Sequence, residues 1–375
     1  MAIAPMSASA ARMRRAARTG AACRGRYRVR PGVANIESGF VAIWPRMVTA
    51  GLCKFMEISS HSSALRKRQP VSLILAVSMI AAGVVYPVTD SALKHTSPIM
   101  IATLRALVGG LILTLALPLL GSRLPRTRGL WVWALAIGFG NTTLTQVGIS
   151  VGTARAGAAV ASVLLNSSPF FVALIARFGL REPITRLRAI GLVIGFAGVL
   201  LVVLGDPGNI AHGRQLAIGF VLALLGALGW AGGGLGMRAL TQREPDLDVS
   251  GHTAAQFLAG AIPLIPLALL DHGSTEWSDP TLIAQLAYLI IGGQVIVYLG
   301  FNAALSRWPS TRVYAWTFLV PVVAVLIEAA QGSLPGPAAT IGIAVVITGV
   351  AIVNHPRAEA STTTELASPP TPAEP

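Results

Sequence analysis

Polar side chains set at helical intervals inside apolar stretches are the residues of this sequence that could do chemistry. Gln294, Tyr298 and Asn302 recur at every fourth position, and Asn141 and Thr145 repeat that spacing with Gln146 adjoining. Residues four apart share one face of a helix. A polar face cannot be left in lipid, so it must meet a neighbouring helix or a water-filled cavity. Amides and hydroxyls on such a face hydrogen-bond a solute or another helix; they do not break covalent bonds. Asn166, Trp230, Tyr314 and Trp316 complete the set expected to line a solute cavity. Trp230 is followed by Ala231-Gly232-Gly233-Gly234, where missing side chains let a helix bend or a neighbour approach. Interhelical hydrogen bonding is the competing use of all these residues.

A second set is charged. Asp90, Arg105 and Glu328 each stand within an apolar run, where an unpaired charge costs at least ~2.5–3.5 kcal/mol at a helix centre. They are expected in the same third of the membrane. One use is an Asp90–Arg105 pair that pins two helices. The other is a charged gate, with Glu328 as the carboxyl for proton coupling.

Bond-making motifs are absent from the sequence. It has no H-E-x-x-H, no G-x-x-x-x-G-K-[ST] and no C-x-x-C, and its six histidines all fall near or beyond helix ends. No catalytic residue, metal site or cofactor is expected, and nothing on the chain would bind ATP. Of the 375 residues, 53% are hydrophobic and 12% charged, against about a quarter charged in soluble domains. Mean hydropathy is +0.67. The net charge of +14 would suggest nucleic acid, but residues 1–70 alone hold thirteen Lys and Arg against Glu37 and Glu57. No nucleic-acid partner is expected. That basic segment is read as a disordered arm attracted to anionic lipid, or as an extension ahead of a true start at Met47 or Met56. Its arginines are not followed by the ~7–15-residue apolar run of a cleaved signal. Cys23 and Cys53 both lie within it, so no disulfide staples the apolar body.

The elements that must position the polar residues are ten apolar stretches: 71–92, 98–120, 130–151, 157–178, 187–205, 216–237, 252–270, 282–304, 313–331 and 337–354. Each matches the roughly 17–25 residues of a membrane span. With both termini cytoplasmic, Lys and Arg fall overwhelmingly in the inner loops and ends, leaving Lys94, Arg155 and Arg214 outside. That is the bias expected of a membrane protein. The acidic loop Asp271, Glu276, Asp279 falls outside. Residues 355–375 form a Ser/Thr/Pro/Glu-rich tail read as disordered.

An internal repeat divides the body into residues 71–205 and 216–354. Pro169 and Pro321 are 152 positions apart, as are Gly140 and Gly292, and Gly148 and Gly300. Gly191-(x6)-Gly198 answers Gly342-(x6)-Gly349, and Gln146 and Tyr298 are repeat equivalents. Five spans per half, an odd number, set the second half in the membrane upside down. The fold expected is therefore an all-α polytopic membrane protein of ten transmembrane helices in two inverted five-helix repeats. This is an architecture of secondary transporters, with a site between the halves.

The stretch Ala102-Thr103-Leu104-Arg105-Ala106-Leu107 resembles the "A-x-L-R-x-L" signature of EamA-type transporters of the drug/metabolite transporter superfamily. Pro169-Phe170-Phe171-Val172-Ala173-Leu174, then Arg181-Glu182-Pro183-Ile184-Thr185, then Gly191-(x6)-Gly198-Val199, resembles that family's central block. Tyr298 to Val350 repeats it more loosely, with Ser333-Leu334-Pro335 where the family keeps an acidic turn. The resemblance runs from about Val71 to Val353. It implies a carrier with a central cavity that moves amino acids or other small metabolites outward across the cell inner membrane by alternating access. The partners expected are a small-molecule substrate, membrane lipid and, under ion coupling, protons; the sequence assigns no oligomeric state. A lipid-linked cargo flippase, a multidrug or cation exporter, a channel and a non-transporting scaffold are the alternatives.

Overall fold

Capping residues fix where several of the helices begin. The computed structural model describes residues 71–180, 184–204, 214–330 and 336–355. The basic arm, the tail beyond His355, Glu182-Pro183 and Ser333-Leu334-Pro335 lie outside the described residues. Ser97 accepts from the Met100 N–H at the start of the second span, Pro98–Ala116. Thr127 caps the third span two residues earlier than hydropathy alone predicts, and Asp248 opens the seventh at Val249 rather than 252. Such side chains satisfy backbone donors that the first turn leaves without partners.

Ten spans result, and no strand is present among the described residues. The first is Val71–Ala92. The third runs Arg128–Gly138, through a π-helical turn Phe139–Leu144, into Thr145–Ala156. The fourth is broken into Ala158–Leu165 and Ser168–Ile175, with a π turn at Ala176–Leu180. The fifth and sixth are Arg186–Leu204 and Arg214–Arg243. Pro263 divides the seventh into Val249–Ala261 and Leu264–Leu269. The eighth is Pro280–Ile290, a π turn Ile291–Ile296, and Val297–Leu305. The ninth joins Ser310–Ala315 to Leu319–Ala330 through a 3₁₀ turn, Trp316–Phe318. The tenth is Pro337–Val353. Five described stretches are each long and apolar enough to cross a membrane: Val71–Ala92, Pro98–Ala116, Ala161–Phe178, Arg214–Arg243 and Pro280–Leu305.

Loop contacts respect the alternation that ten spans demand. At one end of the bundle, Thr96 bonds Thr275 at 2.8 Å, so the first connection meets the seventh. Arg155 donates to Gln215 at 2.6 Å, joining the third connection to the fifth. At the other end, the Arg123 N–H donates to Asp248, joining the second connection to the sixth. Arg312 and Trp316 at the start of the ninth span both donate to Asn354 at the end of the tenth. No contact joins an odd connection to an even one in these pairs.

The breaks follow the repeat. The π turns of the third and eighth spans begin at Phe139 and Ile291, 152 positions apart. The break at Asn166 answers the 3₁₀ turn ending at Phe318 by the same offset. The fifth and tenth spans pair closely, and a Cβ at Gly198 would lie 2.6 Å from the Val346 nitrogen. Leu192, Val199, Phe318, Val322, Val346 and Val350 form the buried core of that side. Close packing of small residues drives helix association where lipid is as apolar as the helix.

Candidate functional site

A π turn bonds each N–H five residues back and leaves a carbonyl outside the ordinary ladder. In the π turns of the third and eighth spans a carbonyl accepts a side-chain donor at the centre of the bundle. The Tyr298 hydroxyl donates to the Asn141 carbonyl at 2.6 Å, and Arg105 Nη2 donates to the Gly293 carbonyl at 3.2 Å. Asn141 and Gly293 are themselves 152 positions apart. Between the turns, Gln146 Nε2 donates to Gln294 Oε1, and it lies 3.4 Å from the Tyr298 hydroxyl. The repeat equivalents Gln146 and Tyr298 thus meet on the axis between the halves.

Aromatic rings frame this centre. Trp230 packs edge-on to Tyr298 at 5.0 Å and lies 4.6 Å from Phe301. The Tyr314 hydroxyl donates to the Trp230 carbonyl at 2.5 Å. The glycines after Trp230 permit this approach: a Cβ on Gly233 would stand 2.8 Å from Asn141, and one on Gly234 would strike Tyr314.

A cavity opens beside them, with about 550 Å³ of atom-free space that is partly continuous with the outside. The first, third, fourth, sixth, eighth and ninth spans line it, and the second adds Arg105. Thr145, Asn166, Trp230 and Tyr298 are the sequence candidates on its wall. The others are elsewhere. Gln146 and Gln294 form their pair off the lining, and Asn141 is fully buried with neither side-chain amide atom bonded. Asn302 donates to Thr253 at 2.9 Å. Tyr314 lies beneath Trp230, and Trp316 points to Asn354 at the end of the bundle, 3.2 Å away.

The charged candidates separate. Arg105 is 1% exposed and lines the cavity, whereas the Asp90 side chain is exposed. The expected Asp90–Arg105 pair is not among the ion pairs of the described residues, which join His95 to Glu276 and Asp279. Met79, Ala82, Val85 and Tyr86 are the first-span residues that line the cavity with Arg105, whereas Asp90, a turn beyond Tyr86 and two residues from the helix end at Ala92, lies past that wall. Glu328 sits in the helix Leu319–Ala330, and its side chain lies outside the described residues. Sequence reasoning missed Tyr86 and the Gly293 carbonyl. Tyr86 stands four residues before Asp90, a spacing that could have marked it; no residue pattern announces the carbonyl.

At the end of the bundle, His95 lies 2.7 Å from Glu276 and 3.3 Å from Asp279, and Ser97 donates to Asp271. The Thr281 N–H donates to Asp279 at 2.8 Å. This bond, first, and His95 beside it hold the Asp279 carboxyl below the usual carboxylate range. The ligand atoms of His95, Glu276 and Asp279 fall within 4.8 Å of one another, and hydrogen bonding between the two connections accounts for the grouping.

Comparison with known proteins agrees with this geometry. A family model described as "EamA-like transporter family" matches residues 69–204 and 217–355, one match per half. The chain is 26% identical over 287 residues to an uncharacterized transporter, YvbV, of Bacillus subtilis, covering 76% of this chain and 91% of the relative. It is 28% identical over 250 residues to a probable amino-acid metabolite efflux pump of Salmonella typhimurium, covering 64% and 80% respectively. An uncharacterized inner membrane transporter of Escherichia coli, YedA, is 27% identical over 276 residues, covering 71% and 84%. A solved crystal structure superposes with a TM-score of 0.64 at 18% identity, covering 80% of this chain and 99% of the other. At that identity the likeness concerns the fold.

Proposed function

Because this chain belongs to the EamA-like transporter family, we propose that it exports amino acids or other small metabolites across the inner membrane by alternating access. The carrying observation is the cavity between the two halves, walled by spans from both and lined with Thr145, Asn166, Trp230 and Tyr298. Inverted repeats that can rock about a shared central site expose it to one side at a time. The relative in Salmonella typhimurium, named for amino-acid metabolite efflux, supports the substrate class, and YedA the inner membrane. The Lys/Arg bias supports cytoplasmic termini.

The test is counterflow in proteoliposomes of the full chain, preloaded with an unlabelled amino acid and offered the labelled one. A carrier gives saturable, substrate-specific accumulation. A channel gives flux without counterflow, a scaffold gives neither, and either result overturns the proposal. Imposing a proton gradient in the same assay tests coupling: if Glu328 carries it, Glu328→Gln flattens the pH dependence and leaves counterflow intact.

A further inference from the structure

Among the described residues the buried guanidinium has no counter-ion. Arg105 is 1% exposed, and only its Nη2 is bonded, to the Gly293 carbonyl. Its Nε and Nη1 have no partner. The described ionisable side chains that feel its charge are Tyr298, Tyr86 and Tyr288, phenols that are neutral near pH 7. A cation held away from water is costly unless paired. The two unbonded nitrogens, themselves buried, belong to a residue of the cavity lining and still have donors to give.

We propose that Arg105 is the receptor for the carboxylate of the transported solute, so that the cavity selects monocarboxylates with an apolar body. This deepens the carrier reading and rests on it. A guanidinium offers planar, charge-assisted donors that match a carboxylate, and Tyr86, which lines the cavity with it, offers a hydroxyl. One cation balances one negative charge. A phosphate dianion would leave a second charge uncompensated, because no other charged residue lines the cavity, whose neutral wall includes the apolar side chains of Met79, Val85, Ile149, Leu165, Val297 and Val320. Those same side chains suit an apolar body. A drug-like cation that lacks a carboxylate would face like charge there and meet no counter-ion on the lining.

The oxyanion could arrive as a solute or as a lipid headgroup, so the probes distinguish them. The full chain carries Cys23→Ser, Cys53→Ser and Thr317→Cys, the last on the cavity wall, and labelling by a small polar thiol reagent is timed. The probes are the amino acids and short monocarboxylates, each beside its own amide, with inorganic phosphate and phosphatidylglycerol vesicles as further arms. At least one carboxylate is expected to slow labelling where its amide does not. Arg105→Lys keeps the charge and loses the fork, and it is expected to weaken that protection roughly ten- to hundredfold, as loss of a hydrogen bond to a charged group does. The first arm keeps Arg105 intact, so poor folding of a substituted chain does not decide the matter. Equal protection by acid and amide, protection by phosphate or phosphatidylglycerol instead, no protection by any probe, or unchanged protection in Arg105→Lys each overturns the assignment. Counterflow at equal rates for acid and amide would leave the carrier standing and this site refuted. Carboxylate protection without counterflow would do the reverse.

Discussion

The third and eighth spans share a backbone and differ in chemistry. Each carries a π turn at the same repeat position, and in each a carbonyl of that turn accepts a side-chain donor, at Asn141 and Gly293. In the third span the donor is a neutral hydroxyl, Tyr298; in the eighth it is the charged Arg105. The repeat equivalent of Arg105 is Phe257, which is fully buried and packs edge-on to Tyr298 at 5.1 Å. Duplication therefore preserved the helix geometry that makes a central site possible, while the charge resides in one half only. The symmetric scaffold repeats the π turn in each half, and its asymmetry places one charge on the cavity wall.

The sharpest way to break that comparison is at the glycines where the halves cross. Gly148 and Gly300 are equivalents, yet a Cβ on Gly148 would stand 2.7 Å from the Gly226 Cα, which is backbone, whereas one on Gly300 would meet the Ser78 hydroxyl. Gly148→Ala is expected to destabilise at or above the ~1–3 kcal/mol typical of overpacking. Gly300→Ala should cost less, and Ser78→Ala should recover most of the loss, because the two groups are in contact. Thermal unfolding of the purified variants measures both. Equal costs, or no recovery in the double variant, would show that the two crossings are alike.

Next in size is Tyr298→Phe. It leaves the Asn141 carbonyl without its 2.6 Å donor in a buried setting, which costs about 1–3 kcal/mol for an unsatisfied group. The Gln146–Gln294 pair remains, so the cavity keeps its shape. A melting temperature equal to that of the parent chain would mean that the π turn does not depend on this hydrogen bond.

How much of this was legible in the sequence follows from which signals are local. Hydropathy and the Lys/Arg alternation locate ten spans, and Pro169 with Pro321 sets the repeat. Trp230, Asn166, Thr145 and Tyr298 announced themselves as polar or large residues in apolar runs, and they line the cavity. Asn141 and Gln294 had the right spacing to Thr145 and Tyr298 and still left the wall. The stripes Asn141–Thr145 and Gln294–Tyr298 both start inside a π turn. There the wider turn means that four residues no longer return to the same face. Nothing in a single sequence marks a π turn, because its bonding is fixed by what packs against it. Arg105 is visible as a buried charge, but its partner was expected from depth counted to within a third of the membrane, too coarse to separate Tyr86 on the cavity wall from exposed Asp90 one turn nearer the helix end.

The smallest expected effect lies at the end of the bundle, where the comparison is with the charged residue in the centre. Arg105 is sealed from water, whereas Asp279 is partly exposed, capping the eighth span through the Thr281 N–H beside His95 and Glu276. The bond to the Thr281 N–H favours the charged carboxylate, so the folded chain binds that proton less tightly than the unfolded one. Linkage then makes its contribution fully present above the ordinary carboxylate range and lost as pH falls through the lower folded value. Protection of the Thr281 amide from hydrogen exchange, corrected for intrinsic rate, should therefore hold through mildly acidic pH and fall only below that range. Asp279→Asn, which still caps a helix but does not titrate, should remove the acid step and change transport little. Protection already lost near neutrality, or the same acid step in Asp279→Asn, would show that the pH dependence of this connection does not come from Asp279.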